Sequence, residues 1–336
     1  DETGEKFRLE LLIRFRDGQP LIWWPPVEHP ANPSYGLNLP AEWHDADPDS
    51  ILRYSLTLNE DGHTKEVARD HWLNALRRVD ASKIMVADSY SNFRSMDHHQ
   101  ISEPFIYYDG LMKRPPVPQV TRTRDGISLA TDSDHDWLDV LLIERSLDGT
   151  VVSVAKIDRI AAGRHRQDVV LTQTSPEAFS DVIQAFEKSL VAAGLHDDES
   201  RSLLDVWSAG LFERPGLTLL YRIPQETYDH WIPLHFDPQP KSIARVGLVL
   251  HQHLEPELSE NVKRLIGELG SGRYAVRVRA EQQLHSIGGA ALPEIRKIAN
   301  SSDVETAARA RQLIEHLDTD QLLQQVMTRS HKKQDK

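Results

Sequence analysis

The sequence predicts an α+β protein with a β-rich N-terminal part, a mixed α/β middle and an all-α C-terminal module. Three observations carry this. Five Asp-Gly dipeptides punctuate the first half, at Asp17-Gly18, Asp61-Gly62, Asp109-Gly110, Asp125-Gly126 and Asp148-Gly149, and Asp-Gly accepts the positive φ angles of tight hairpin turns. After residue 172 the apolar residues change from alternation to helical spacing. From about Glu260 onward only helical stripes remain.

At the N-terminus, Leu11, Ile13 and Phe15 alternate before the first turn and Leu21 and Trp23 follow it, which predicts a hairpin. Leu56 and Leu58 precede the second turn; Val140 to Ile143 and Val151 to Val154 bracket the last. The run from Trp23-Trp24-Pro25-Pro26 to Pro40 is too rich in proline for long regular structure, because proline lacks the amide donor. Glu66 to Val79, with Val67, Trp72 and Leu76, predicts a short helix. Lys113-Arg114-Pro115-Pro116-Val117-Pro118 reads as a stiff linker.

In the middle, Phe179, Val182, Ile183, Phe186 and Leu190 share one helical face, with Ser175 as cap, Pro176 at the first position and Gly194 as the stop. A second short helix carries Leu203, Leu204 and Trp207. Two strands follow, in which Leu217, Leu219 and Tyr221 alternate, then Val246, Leu248 and Leu250. Four helical stripes complete the chain: Val262, Leu265, Ile266 and Leu269; Val276, Ala280, Leu284 and Ile287; Leu292, Ile295 and Ile298; Val304, Ala307, Arg311, Ile314 and Leu317. Ser302 and Glu305 have capping-box spacing. The implied division is a β-rich domain over 1–115 with a short helix, a mixed, β-sandwich-like domain over 116–255, a helical module over 256–328 and a disordered basic tail over 329–336.

Composition narrows the function. The 336 residues are 39% hydrophobic and 27% charged, enough apolar content for a core. The net charge of −12, with no lysine and arginine stripe to offset it, repels phosphate backbones, so no nucleic acid is expected as a partner. No apolar run approaches the ~20 residues that span a bilayer. The absence of cysteine excludes disulfides, thiol catalysis and cysteine-ligated metals. A chain that begins at Asp1 fits a processed export product, and an extracytoplasmic location is expected.

The run Arg273-Tyr274-Ala275-Val276-Arg277-Val278-Arg279-Ala280, with Leu284, Gly288, Ala290-Ala291-Leu292-Pro293 and Arg309-Ala310-Arg311, resembles a HEAT-like repeat appended to bacterial exported proteins. The resemblance covers about residues 261 to 317. It implies a stack of antiparallel helix pairs that mediates packing or protein contact and has no chemistry of its own. One such unit leaves apolar face uncovered and needs a surface to dock on. The body, through Pro104-Phe105-Ile106-Tyr107-Tyr108-Asp109-Gly110-Leu111, Ala192-Ala193-Gly194-Leu195 with Trp207, Pro215-Gly216-Leu217 to Pro224, Pro233-Leu234 and Arg245-Val246, resembles a broader group of bacterial proteins. That implies a multi-domain exported architecture.

Candidate sites are few. His251-Gln252-His253-Leu254-Glu255 places two imidazoles two residues apart, on one face if the strand continues, with Glu255 nearby; this set suits zinc or another divalent metal, with His230 and His235 as further ligands if the fold gathers them. His98-His99 reads as a solvated pair. Asp45-Ala46-Asp47-Pro48-Asp49 and Asp132-Ser133-Asp134-His135-Asp136 mimic the start of a calcium loop. The required Gly and Glu are replaced by Ser50 and Leu56 in one, and by Trp137 and Ile143 in the other. Trp23-Trp24 offers aromatic faces to a sugar, against the plainer reading of a core anchor; Trp72, Trp207 and Trp231 read as core. The zincin, Walker, dinucleotide and nucleophile-elbow signatures are missing, and Gly270-Ser271-Gly272 reads as a turn between helices. The reading that follows is a non-catalytic interaction or assembly protein of the bacterial envelope or exterior, with a protein partner held by the C-terminal helices. A metal-dependent hydrolase at His251 and His253 and a carbohydrate binder at Trp23 and Trp24 are the alternatives.

Overall fold

A computed structural model describes residues 7–25, 39–58, 64–69, 71–86, 101–112, 117–124, 126–299 and 304–319. His98-His99, the Asp61-Gly62 turn, Ser302 and the basic tail lie outside the described residues. The architecture is mixed α+β. The first strands are β1 (Phe7–Arg14), β2 (Gly18–Trp24), β3 (Ile51–Leu58), β4 (Ile84–Val86), β5 (Ile101–Glu103) and β6 (Tyr107–Met112), with the one-turn helix α1 (Leu73–Leu76) between β3 and β4. Then come β7 (Gln119–Arg122), β8 (Ile127–Ser133), β9 (Trp137–Arg145), β10 (Val152–Ile160), β11 (Gly163–Val169) and β12 (Thr172–Thr174). Helices α2 (Pro176–Ala192) and α3 (Asp197–Phe212) precede β13 (Gly216–Ile223), α4 (Gln225–Trp231), β14 (Leu234–Asp237) and β15 (Gly247–His251). The described elements from Leu258 onward are α5 (Leu258–Leu269), α6 (Tyr274–Ile287), α7 (Leu292–Ile298) and α8 (Val304–Thr319). No helix among the described residues is long and apolar enough to cross a membrane.

The chain divides into two compact units and passes between them five times. One unit comprises 1–116, 187–206 and 223–247; the other comprises 117–186, 207–222 and 248–336. A linear division at 115/116 and 255/256 differs from this because strand pairing is non-local. In the first unit the sheet order is β14-β1-β3-β4-β5, so a strand from the middle of the chain completes the edge beside β1. β1 is buried over Leu11, Leu12 and Ile13 together. A half-covered strand would alternate; a continuous buried run means that both faces are covered. Leu12 packs with Trp43 and Ile51 on one face.

The turn at Asp17 reverses the chain with Asp17 at φ 55°, yet it does not make the expected hairpin. β1 pairs with β3 and β14, whereas β2 pairs with β6 in a separate two-stranded ribbon. Gly110 lies inside β6 rather than in a turn; a Cβ there would meet the Gln19 carbonyl oxygen at 2.3 Å, so only glycine admits this approach. The helix expected over Glu66 to Val79 shrinks to α1. The Asn74 amide takes the carbonyls of Ala68 (2.8 Å) and Arg69 (3.1 Å), so a side chain occupies acceptors that a longer helix would need.

In the second unit the sheet order is β12-β10-β9-β13-β15, and β7, β8 and β11 form a three-stranded sheet. Asp148-Gly149 does make a hairpin, β9 to β10, with Arg145 opposite Val152 and Gly149 at φ 73°. Val140 to Ile143 and Leu217 to Tyr221 are buried without interruption, again the mark of a doubly covered sheet. α2 begins as read: the Ser175 hydroxyl accepts the Ala178 amide at 3.2 Å, and Gly194 past its end has φ 115°. Phe179 and Phe186 of α2 meet Phe212 of α3 edge-on, at 6.3 and 5.9 Å. α3 is longer than the short helix expected there. Gly270 to Gly272 separate α5 from α6. α5 packs on α6 and α7 on α8, around a core of Val262, Leu265, Leu269, Ala280, Leu284 and Ile295, with Leu147 from the β9–β10 connection against it.

Candidate functional site

At the end of β1 the pleat places Arg14 and Arg16 on one face and Phe15, buried, on the other. The strand ladder runs on past β14 to fix both. The Arg14 amide donates to the Pro233 carbonyl (3.1 Å) and the Arg16 amide to the Trp231 carbonyl (3.0 Å). Together with Asp17, Met112, His230 and Trp231 they line a cleft of about 240 Å³. Arg14 Nη1 donates weakly to the Glu42 carbonyl, at 3.4 Å, and its guanidinium lies 5.9 Å from the Trp43 ring centroid. Arg16 Nη1 is 3.4 Å from His230 Nδ1. A guanidinium has no acceptor, so that contact makes Nδ1 the acceptor and puts the ring proton on Nε2.

The Nε atoms of Arg14 and Arg16 are both buried and make no hydrogen bond among the described residues. Burial and then the charge of Arg16 pull the Arg14 guanidinium below the ordinary arginine range, while Asp17 pushes it back up. Asp17 makes no ion pair with either arginine among the described residues. Asp229, next to His230, is committed to Arg245 at 2.6 Å. The cleft therefore holds two cations and a neutral donor against one carboxylate. That arrangement favours an anion.

The His251, His253 and Glu255 set does not form as read. β15 ends at His251, and His253 has φ 57°, so the alternation that would put both rings on one face stops between them. The buried face of β15 is Gly247, Val249 and His251, not Val246, Leu248 and Leu250. His251 stacks on Tyr221 at 5.9 Å, and Tyr221 stacks on Trp137 at 4.3 Å, a three-ring ladder across the sheet. Burial in that ladder pulls the His251 imidazole down to about 4. His253 Nδ1 stands 3.9 Å from Glu255 Oε1, beyond hydrogen-bond length. Glu255 Oε2 accepts the Leu217 amide at 2.7 Å. Burial pushes the Glu255 carboxyl up, but the His253 ring and the Leu217 amide outweigh it, so it titrates below the ordinary range. Among the described residues no three histidine, aspartate or glutamate side chains are grouped to hold a metal ion. His235 instead sits edge-on to Trp43 at 6.3 Å.

Trp24 is an anchor, not a ligand face. It is 9% exposed, and its indole donates to Glu103 Oε1 at 3.1 Å. Glu103, fully buried, also takes Arg77 as a two-pronged partner at 2.5 and 2.8 Å. Trp23, half-buried, lies opposite Tyr108 in the β2–β6 ribbon. Trp231 is buried, whereas Trp72 and Trp207 are only half-buried. The two acidic loops diverge. Asp47 caps its own turn through the Asp49 amide, while Asp132, Asp134 and Asp136 turn to Arg164, His135 and Arg159 respectively. Ser133, His135 and Asp134 meet, but hydroxyl and carboxylate both face Nδ1, at 3.3 and 2.7 Å. A nucleophile relay needs them on opposite ring nitrogens.

The reading of residues alone missed the Arg14–Arg16 pair. The signal was two arginines at i, i+2 flanking a buried phenylalanine at a strand end. Compared with protein-family models, curated proteins and solved structures, the chain has no match.

Proposed function

We propose that this protein works by binding, as a non-catalytic interaction or assembly protein of the bacterial envelope or exterior, and that α5 to α8 are a HEAT-like module that holds a protein partner. The observation that carries the reading is Tyr274 at the start of α6. At 73% exposure it is the most solvent-facing large hydrophobic among the described residues. The stripes of the same helices are spent on their own core, so this ring is not a leftover of poor packing. Arg277 lies 5.8 Å from its centroid and is tied back to the Ser271 carbonyl at 2.6 Å. A preordered tyrosine and arginine pair is the composition of interface hot spots. The resemblance to exported bacterial proteins supports the location.

The test is a photo-crosslinking residue at position 274 of the full chain, expressed in bacterial cells. A discrete heavier adduct in the envelope fraction or medium, lost with Arg277→Glu, is the expected result. A chain retained in the cytosol, or no adduct in any fraction, refutes the proposal.

A further inference from the structure

We propose that the cleft between Arg14, Arg16 and His230 binds a phosphate group, either free or at the end of a small ester. The site is separate from the helical partner surface and does not depend on it. Like charges on one strand face repel, and the Nε of each guanidinium is left without a hydrogen-bond partner among the described residues. Both side chains line the cleft, where an anion would relieve that repulsion. Arginine offers phosphate a two-pronged fork of Nε and Nη donors, and the two guanidinium groups lining the cleft supply two such forks.

His230, held with its proton on Nε2 by the contact to Arg16, adds a third, neutral donor. A carboxylate has two oxygens for these three groups; a phosphate ester has three that are free. Asp17 at the mouth opposes the anion but leaves the local balance positive, and the chain's net −12 is screened beyond ~8 Å at physiological salt. The cleft, at about 240 Å³, falls below the ~300–1,000 Å³ usual for drug-sized ligands. The ligand is therefore free phosphate or a phosphate with a short organic remainder, not a nucleotide.

Titrating the full chain with inorganic phosphate, glycerol phosphate and acetate, by calorimetry and phosphorus NMR, tests this. The expected result is saturable one-to-one binding of a phosphate species, weakened at least about tenfold in Arg16→Gln and in Arg14→Gln. The exposed control Arg164→Gln should bind as the parent does. Tighter binding of inorganic phosphate points to a free ion, and of glycerol phosphate to an ester; both support the proposal. If the glutamine variants fail to fold, Arg16→Lys keeps the charge but loses the fork, and should weaken binding by a similar factor. Binding that survives the folded arginine variants, acetate bound as well as phosphate, or no saturable binding overturns the site.

Discussion

His251 turns acid into a structural signal. Its ring is 8% exposed within the Trp137, Tyr221 and His251 ladder, and burial lowers it from 6.5 to about 4. The unfolded chain takes up that proton first. Stability is thus full above about pH 6.5, falls as pH drops towards 4, and stops falling once the folded ring is also charged. With each unit worth ~1.4 kcal/mol, the loss is at most about 3.5 kcal/mol. His251→Phe keeps a stacked ring and loses the proton, so its melting temperature should fall less between about pH 7 and pH 4.5 than the parent's; parallel curves would remove this assignment. At Gly216, φ is 95° and a Cβ would lie 2.6 Å from Glu255 Oε1. Gly216→Ala meets both backbone strain and a buried carboxylate, and should cost about 2–4 kcal/mol by denaturant unfolding. Arg77→Met strands the buried Glu103 charge and should cost about 3–5 kcal/mol in the same measurement.

Among the elements, the helical core of α5 to α8 is self-contained enough to make a direct prediction. Leu284 is fully buried there, and Leu284→Ala should cost about 2–5 kcal/mol and broaden or split the unfolding transition. The stripes of α5, α6 and α7 were legible because a helix satisfies its backbone locally and its apolar period is written in consecutive residues; on α8 the buried face is Ala307, Ala310 and Leu313, and Arg311, read as part of the stripe, is exposed. The Ser175 cap and the Asp148-Gly149 hairpin were legible for the same reason. The β1 partners were not. Asp17-Gly18 announces a turn, but which strands β1 pairs with depends on residues 37 to 227 positions away. The cleft was hidden likewise, since Arg14 and Arg16 look like ordinary polar positions until His230 arrives from α4. The histidine pair at 251 and 253 was visible but misjudged, because a single positive φ ended the strand between them.

At the scale of the whole molecule the first unit is assembled from three separate stretches of chain. Residues 1–116 alone lack β14, so β1 keeps an open edge, and they also lack the α3 segment whose Ser202 hydroxyl bonds the Ala75 carbonyl at 3.0 Å. That fragment should therefore be expressed without cooperative unfolding or dispersed amide NMR signals, and a well-folded fragment would show that the linear division is the better description. β14 also imposes a schedule. A ribosome adding ~5–20 residues per second needs on the order of ten to forty seconds after making β1 before it releases the strand that covers it. During that interval nascent β1 presents an unsatisfied edge rich in leucine and isoleucine, the kind of surface that invites pairing with a neighbouring polypeptide. Synthesis of this protein should thus depend on a holding chaperone more than its finished stability suggests, and slowing translation should worsen its aggregation.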